Sequence, residues 1–333
     1  MTATQRICIA GAGSIGCYVG GMLAAAGRDV AMLARPRVTD EIRRNGLNLT
    51  SFDGVEKRVA ADRLQLSDDP AIFNGADIIL VTVKSADTAE IADMIARHAP
   101  VGAVVVSLQN GVGNVAVLRE RLPMHRVLGG MVPFNVMAMG GGRIHRATSG
   151  DIVVERDAAE TATALCVDGL RLRPTDDIAG VQWGKLLVNL NNALNALSGL
   201  PLRAQLAQRE WRTLFADQMA EGLAALQATA IRPVSSTPIP ARLTTYLLRL
   251  PDGLFNAVLG RTMKIDAHAR SSMWEDLQRG RRTEIDYLQG VIVQLAARDG
   301  LAVPLTERVV MLVKNAEAAG RGSPGLTAGQ IRG

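Results

Sequence analysis

Three glycines near the start of the chain have a spacing that suits binding of a phosphate group. Gly11, Gly13 and Gly16 match the pattern G-x-G-x-x-G, between the apolar run 7–10 and the small, apolar residues 17–26. Between a buried strand and a helix, these glycines allow a tight turn, close approach to a pyrophosphate and close helix packing. The flanking strand and helix favour a dinucleotide site over a purely structural turn. That site consists of the turn and the first helical residues: Gly11, Ala12, Gly13, Ser14, Ile15 and Gly16.

Three further polar side chains follow predicted strands at their carboxyl ends. Arg35 follows the second strand, where an acidic residue would hold the ribose of NAD, and an arginine there suits the 2′-phosphate of NADP. Lys84 and Asn110 follow the apolar runs 77–83 and 103–108. Ligands of open parallel sheets bind outside these strand ends, so we expect all three side chains at one crevice. The alternatives are solvated basic side chains and an ordinary turn asparagine.

A stripe of polar residues lies on a helix predicted over 183–197. Lys185, Asn189 and Asn192 have the spacing i, i+4, i+7, which places them on one helix face. Leucines and valine occupy most of the remaining circumference, so the stripe indicates a wet pocket and not a solvent-facing surface.

Another polar cluster follows between 271 and 286. It includes Ser272, Thr283 and Glu284. Thr283 suits the N-cap of a helix over 283–298, and an acidic residue is favourable in the first turn of that helix. Spacing alone therefore does not favour catalysis over capping for Glu284.

The pattern of elements changes near Asp176, and 333 residues are enough for two domains. We expect an α/β fold with a Rossmann-type dinucleotide-binding domain over 1–177, followed by an all-helical domain over 178–320. A β-hairpin is predicted over 143–155. The glycine-rich residues 321–333 are predicted to form a flexible tail.

Composition excludes several classes of protein. The net charge is +5, but Lys and Arg are spread along the chain, which argues against nucleic-acid binding and suits a small anionic ligand. No apolar run has the length of a bilayer span. Cys8, Cys17 and Cys166 lack metal or disulfide spacing and indicate reduced thiols in a cytoplasmic protein. Alanine-rich helices would permit a homodimer without requiring one.

Taken in order, the motifs resemble those of the ketopantoate reductases (2-dehydropantoate 2-reductases), and the resemblance spans almost the whole chain. The shared features are the glycine turn, Lys84, 108–111, 183–185, Asn189, Ser272 and 280–286. The resemblance implies an NADP(H)-binding domain, a helical domain like that of 6-phosphogluconate dehydrogenase, and an active site between them. It also implies reduction of 2-dehydropantoate, a small 2-oxo acid, to pantoate on the route to pantothenate and coenzyme A.

The resemblance also implies roles for individual residues. Lys185 would be the general acid, and Glu284 would help to hold the lysine and the substrate. Lys84 would lie near the cofactor, Arg35 would take the 2′-phosphate, and Asn110 would lie by the nicotinamide and the substrate.

Asn189 and Ser272 would contact the substrate. Members of the family often have a second asparagine where this chain has Ala193, and Asn192 is the candidate to replace it. The segment 231–260 is longer than in compact members. One alternative is an NADP-dependent reductase or dehydrogenase of another 2-oxo or hydroxy acid on the same scaffold. A second is a non-catalytic NADP(H) sensor, which would have no need of the lysine and its polar neighbours.

Overall fold

The computed structural model describes residues 5–235, 239–259 and 269–333. The chain divides into two compact units, Met1–Ile178 and Ala179–Gly333. All strands of the described ranges belong to the first unit. None of the helices described is long and apolar enough to cross a membrane.

The strands of the first unit form two sheets. They are β1 (Arg6–Ala10), β2 (Asp29–Leu33), β3 (Leu47–Ser51), β4 (Glu56–Val59), β5 (Gln65–Ser67), β6 (Ile78–Val81), β7 (Val104–Ser107), β8 (Arg126–Met131), β9 (Val136–Gly140), β10 (Arg143–Arg146), β11 (Ile152–Glu155) and β12 (Leu172–Thr175).

The helices of the first unit are α1 (Ser14–Ala25), α2 (Pro36–Asn45), α3 (Thr88–His98), α4 (Asn114–Arg121) and α5 (Thr161–Ala164). Helix α6 (Ile178–Asn189) begins at the boundary between the units. The second unit continues with α7 (Asn191–Ser198), α8 (Leu202–Ala207), α9 (Arg209–Gln227), α10 (Ala241–Leu248), α11 (Asp252–Leu259), α12 (Ser272–Gln278), α13 (Gln289–Arg298), α14 (Pro304–Ala319) and α15 (Ala328–Arg332).

The larger sheet has the strand order β12-β11-β8-β7-β6-β1-β2-β5. Its neighbouring strands are parallel, except that β11 is antiparallel to β8. Strand order reverses at β1, because β2 lies on one side of it and β6 on the other. In such sheets ligands bind at the carboxyl ends of the strands beside the reversal.

Strand β1 is covered on both faces, as its uninterrupted apolar run predicted. Ile7 and Ile9 pack in one apolar cluster with residues of α1. Cys8 and Ala10 point the other way, into a cluster with Phe73 and residues of α3. The alternation of a strand therefore places β1 between two helical layers.

The hairpin predicted over 143–155 is wrong, because its two strands belong to different sheets. β10 pairs with β9 and β3 in a four-stranded sheet of order β4-β3-β10-β9, whereas β11 pairs with β8 and β12. Buried Arg146 donates to the carbonyls of Thr148 (3.0 Å) and Gly150 (2.7 Å), and its guanidinium lies 4.3 Å above the ring of Phe134. These contacts stabilise the segment between β10 and β11 in a form that is not a hairpin turn.

The flexible tail predicted over 321–333 is also wrong. Helix α15 begins with a capping box, in which Thr327 accepts from the Gln330 amide and the Gln330 side chain accepts from Thr327. Ile331 is fully buried, and Arg332 donates to Asp217 at 2.6 Å. Two buried apolar side chains, Ala328 and Ile331, and an ion pair hold a segment whose glycine content alone indicates disorder.

Candidate functional site

The glycine turn after β1 is held by packing at two of its three glycines. Gly11 has φ +107°, and a Cβ there would lie 2.5 Å from Val83. A Cβ on Gly16 would overlap the Gly11 carbonyl and lie 2.7 Å from Thr82 Oγ1. The Thr82 hydroxyl donates to the Gly11 carbonyl at 2.6 Å. The residues that follow β6, Thr82 and Val83, together with the carbonyl of the turn itself, therefore account for Gly11 and Gly16 without any ligand.

At Gly13, in contrast, no neighbouring atom of the described residues requires a glycine. Its φ is −81°, which any residue adopts, and a Cβ there would have no atom within 4 Å among the described residues. Gly13 is the N-cap of α1 and supplies no side-chain cap, and the first turn of α1 contains no acidic residue. A glycine beside uncapped N–H groups is what close approach of a pyrophosphate requires, so the turn fits a dinucleotide.

Arg35 lies where a 2′-phosphate is expected. It is the N-cap of α2 immediately after β2, and its side chain is 85% exposed. Its described ion-pair partner is Asp87, at 3.8 Å, and so loose an exposed pair constrains the guanidinium little. β2 ends at Leu33 and is followed by Ala34 and Arg35, so an arginine occupies the chain position at which an acidic residue would hold the 2′-hydroxyl of NAD.

Lys84 and Asn110 lie at the carboxyl ends of the neighbouring strands β6 and β7, as predicted. Lys84 is the N-cap of the 3-10 turn Ser85–Asp87. The hydroxyl of Ser85 donates to the Asn110 carbonyl at 3.0 Å and so ties the two loops together. The connection between the two loops contains four buried polar side chains: Ser85, Thr88, Gln109 and Asn114. Sequence reasoning assigned no role to them. The feature that could have indicated one is the presence of polar residues directly after two strongly apolar strands.

Lys185 lies on α6, where a neighbouring segment approaches the helix backbone closely. A Cβ on Gly184 would overlap the carbonyl oxygen of Val234, and the Val234 amide donates to the Gly180 carbonyl at 2.8 Å. Only glycine allows this contact. The segment 231–235 therefore lies along α6 next to the lysine, which gives part of the longer 231–260 region a place in the structure.

Burial alters the chemistry of Lys185. Removal of its ammonium from water lowers the pKa from the ordinary 10.5 to about 8, because burial disfavours the charged form. An ammonium with this pKa gives up its proton more readily than a solvated lysine and is still protonated at neutral pH. The side chain is therefore suited to general acid chemistry.

The polar stripe predicted on one long helix lies on two. The helix predicted over 183–197 begins earlier, at Ile178, and is interrupted at Leu190, whose carbonyl accepts from the Gln289 side chain at 2.8 Å. Asn189 is buried at the end of α6, and Asn192 is half-buried at the start of α7. Lys185 is half-buried as well, so the stripe is not a fully solvent-facing surface, and its role as the lining of a wet pocket stays a prediction.

Ser271, to which sequence reasoning gave no role, is the N-cap of α12, directly before Ser272. Its hydroxyl accepts from the Trp274 amide at 3.2 Å and lies 2.9 Å from the Asn192 carbonyl, to which it donates. Its own amide donates to buried Asn195 at 2.8 Å. Ser272 is exposed at the first position of α12. Ser271 thus joins α12 to α7 and sets where Ser272 lies relative to the asparagine stripe.

Glu284 does not begin a long helix. A 3-10 turn, Ile285–Tyr287, follows it, and α13 starts only at Gln289. The N-cap of this turn is Glu284, whose side chain does not cap it, and the hydroxyl of the preceding Thr283 accepts from the Ile285 amide at 3.2 Å. The backbone carbonyl of Glu284 accepts from the amides of Tyr287 and Leu288. Glu284 is half-buried, and its carboxylate does not act as a helix cap.

Comparison with known proteins gives matches along most of the chain. Residues 7–158 match the family model Ketopantoate reductase PanE/ApbA, and residues 177–317 match the model of its C-terminal domain. A 2-dehydropantoate 2-reductase of Halobacterium salinarum is 31% identical over 95% of this chain and all of its own length. One from Archaeoglobus fulgidus is 28% identical over 94% of this chain and 98% of its own.

A solved structure extends the match to the fold. The PanE/ApbA family ketopantoate reductase of Ralstonia eutropha superposes with a TM-score of 0.79 at 31% identity, covering 95% of this chain and all of the other. The predicted α/β fold, a dinucleotide-binding domain followed by a helical one, is confirmed. With both family models matched and full-length relatives found, the chain belongs to the ketopantoate reductase family, as its motifs indicated.

Proposed function

We propose that this protein reduces 2-dehydropantoate to pantoate with NADPH, and that Lys185 is the general acid. The observation that carries the assignment is the position of Lys185, which is half-buried on the helix that also carries buried Asn189; desolvation of its ammonium lowers the pKa to about 8. Membership of the family supports the reaction, and the glycine turn with Arg35 supports the cofactor. Two arguments support a cytoplasmic location: the proposed reaction belongs to a biosynthetic route, and the three cysteines are free thiols, which are typical of a reducing compartment.

The chain's residues supply the proton and the positioning in this reaction. When bound, NADPH supplies the hydride that adds to the C2 carbonyl carbon of the substrate. The Lys185 ammonium stabilises the negative charge that grows on the carbonyl oxygen and then transfers its proton to it, leaving a neutral amine and a hydroxyl group. Water returns the proton to the amine. Asn110, Asn189, Asn192 and Ser272 contact the substrate, and Glu284 holds Lys185 and the substrate in position.

We expect kcat/KM to fall as pH rises above about 8, since only protonated Lys185 can donate a proton.

The protonation of Lys185 also makes the free energy of unfolding depend on pH. Its pKa is lower in the folded state, so the unfolded chain binds more protons between about 8 and 10.5, and folding stability rises with pH across that window. Rate profiles and urea unfolding from pH 6 to 11 measure both effects. Lys185→Met should remove both, and an unchanged profile in that variant would contradict the assignment.

Arg35→Ala is expected to weaken NADPH binding by about tenfold or more while NADH binding changes little, because the guanidinium grips only the extra phosphate. Fluorescence titration with both cofactors measures the ratio. Arg44→Ala is the matched control: it removes an exposed arginine from the last turn of the same helix. Equal losses for both cofactors in Arg35→Ala would remove this residue from the phosphate site.

The proposed function is tested by NADPH oxidation with 2-dehydropantoate beside a panel of other 2-oxo acids. The expected result is the highest kcat/KM for 2-dehydropantoate. Higher values for another 2-oxo acid would retain the mechanism and change the substrate. Tight NADPH binding without oxidation by any member of the panel would indicate a sensor. Size-exclusion chromatography with light scattering tests whether the protein forms the homodimer that its alanine-rich helices permit.

A further inference from the structure

Asn110 has an exposed side chain on a loop with little restraint of its own. β7 ends at Ser107, and Gly111 and Gly113 on the other side of Asn110 have φ +80° and +93°. Such a loop has many accessible conformations. Two donors nevertheless hold the Asn110 carbonyl, the Ser85 hydroxyl at 3.0 Å and Asn114 Nδ2 at 2.8 Å.

Thr88 connects these donors to α3. Its hydroxyl lies 2.9 Å from Asn114 Oδ1 and 2.8 Å from the Ser85 carbonyl. The first contact sets which way the Asn114 amide faces, with its oxygen towards Thr88 and its nitrogen towards Asn110. Thr88 is 2% exposed and Asn114 5% exposed, so water does not compete for these groups.

Gln109 completes the connection from the other side. Its Nε2 donates to Thr88 Oγ1 at 2.8 Å and to the Val83 carbonyl at 3.2 Å, and its Oε1 accepts from Ser107 at 3.1 Å. The carboxyl ends of β6 and β7 are therefore joined by one buried network. Burial of so many polar groups adds little to the stability of a fold. When every group has a hydrogen-bond partner, however, such a network favours a single arrangement of the loops that it joins.

We propose that Thr88 is a positioning residue: through Asn114 it holds the Asn110 carbonyl, and thereby directs the Asn110 side chain towards the cofactor and substrate. The proposal rests on the proposed function, in which Asn110 contacts the substrate, and on the position beside the nicotinamide that the family resemblance implies for Asn110. Thr88 itself touches neither. A side chain that must be placed to within an ångström of reacting groups needs such support, because a shift of that size costs about 100-fold in rate.

Thr88→Val keeps the shape of the side chain and removes its hydroxyl. We expect kcat/KM for 2-dehydropantoate to fall by about tenfold or more, NADPH to bind more weakly, and Thr88→Ser to restore both. Thr306→Val is the matched control, since Thr306 is another fully buried threonine in the first turn of a helix, with its hydroxyl 2.6 Å from Glu221. Asn114→Asp is a second variant: it suits the first turn of α4 but replaces the donor to Asn110 with an acceptor.

A double-mutant cycle with Asn110→Ala separates positioning from stability. If Thr88 acts through Asn110, Thr88→Val causes no further loss in the Asn110→Ala background. The cycle is measured on kcat/KM and on the NADPH dissociation constant. Equal losses in both backgrounds, or a loss no larger than that of Thr306→Val, would overturn the proposal. A wild type that does not reduce 2-dehydropantoate would overturn the proposed function instead, and the NADPH cycle would still decide the role of Thr88.

Discussion

Lys185→Ala is expected to lower kcat by about 100-fold or more, the scale of losing a general acid, while NADPH still binds. The glycine turn and Arg35 belong to the first unit, and Lys185 to the second, so cofactor contacts should survive the substitution. Stability should survive as well, because burial disfavours the charge of Lys185 and its removal relieves that cost. Steady-state reduction of 2-dehydropantoate and fluorescence titration with NADPH measure the two properties.

Two further variants control for the loss of packing at position 185 and for the removal of a lysine elsewhere in the same unit. Lys185→Met keeps the buried apolar stem and should lose turnover to the same extent without leaving a cavity. Lys314→Ala removes a half-exposed lysine of the same unit, paired with Asp286 at 2.7 Å, and should leave kcat near the wild-type value. A primary amine added to Lys185→Ala should restore part of the rate. A Lys185→Ala variant that binds NADPH and turns over within a few-fold of wild type would contradict the assignment.

Gly13→Ala is expected to weaken NADPH binding by about tenfold or more with little change in melting temperature. The backbone of Gly13 accepts alanine, and no described atom lies within 4 Å of the added Cβ. The cost to the fold is the replacement of glycine by the less favourable alanine at an N-cap, about 1 kcal/mol or less, which lowers the melting temperature by only a few degrees. The added methyl group would occupy space that the pyrophosphate needs at the start of α1.

Gly253→Ala is the matched control for Gly13→Ala. Gly253 also has open space around the position of a Cβ, but it lies on α11 in the second unit. It should bind NADPH as the wild type does. Gly16→Ala provides the contrast, because its Cβ would overlap the Gly11 carbonyl and should lower the melting temperature as well as the affinity. Normal NADPH binding by Gly13→Ala would show that the cofactor does not approach the turn at this residue.

The elements around the first strand could be predicted because their determinants are local. The apolar run of β1, the glycines after it and the small residues of α1 follow one another in the chain, and each limits the backbone on its own. The four-stranded sheet could not be predicted in this way. β3 and β10 are parallel partners about 95 residues apart, and neither has a run of apolar residues long enough to stand out.

Within the candidate site, the sequence predicted which residues have chemistry and the structure showed what holds them. The helical spacing of Lys185 and Asn189 was visible in the sequence, but the pKa of Lys185 depends on burial by segments distant in the chain. The spacing around Ser272 did not reveal that Ser271 is the cap and the link to Asn192. Contacts between residues that are distant in the chain produce no periodic pattern in the sequence, so spacing could not predict them.

The family, the glycine turn and the candidate polar side chains could be predicted without a structure, because they depend on residue type and short-range spacing. Contacts across the fold were needed to show that Gly13, unlike Gly11 and Gly16, has no packing role among the described residues. Such contacts also show that Gly184 allows the close approach of Val234 and that Thr88 connects to the Asn110 carbonyl through Asn114. These are contacts between segments brought together by folding, and their energies depend on distance and burial, which a one-dimensional pattern does not contain.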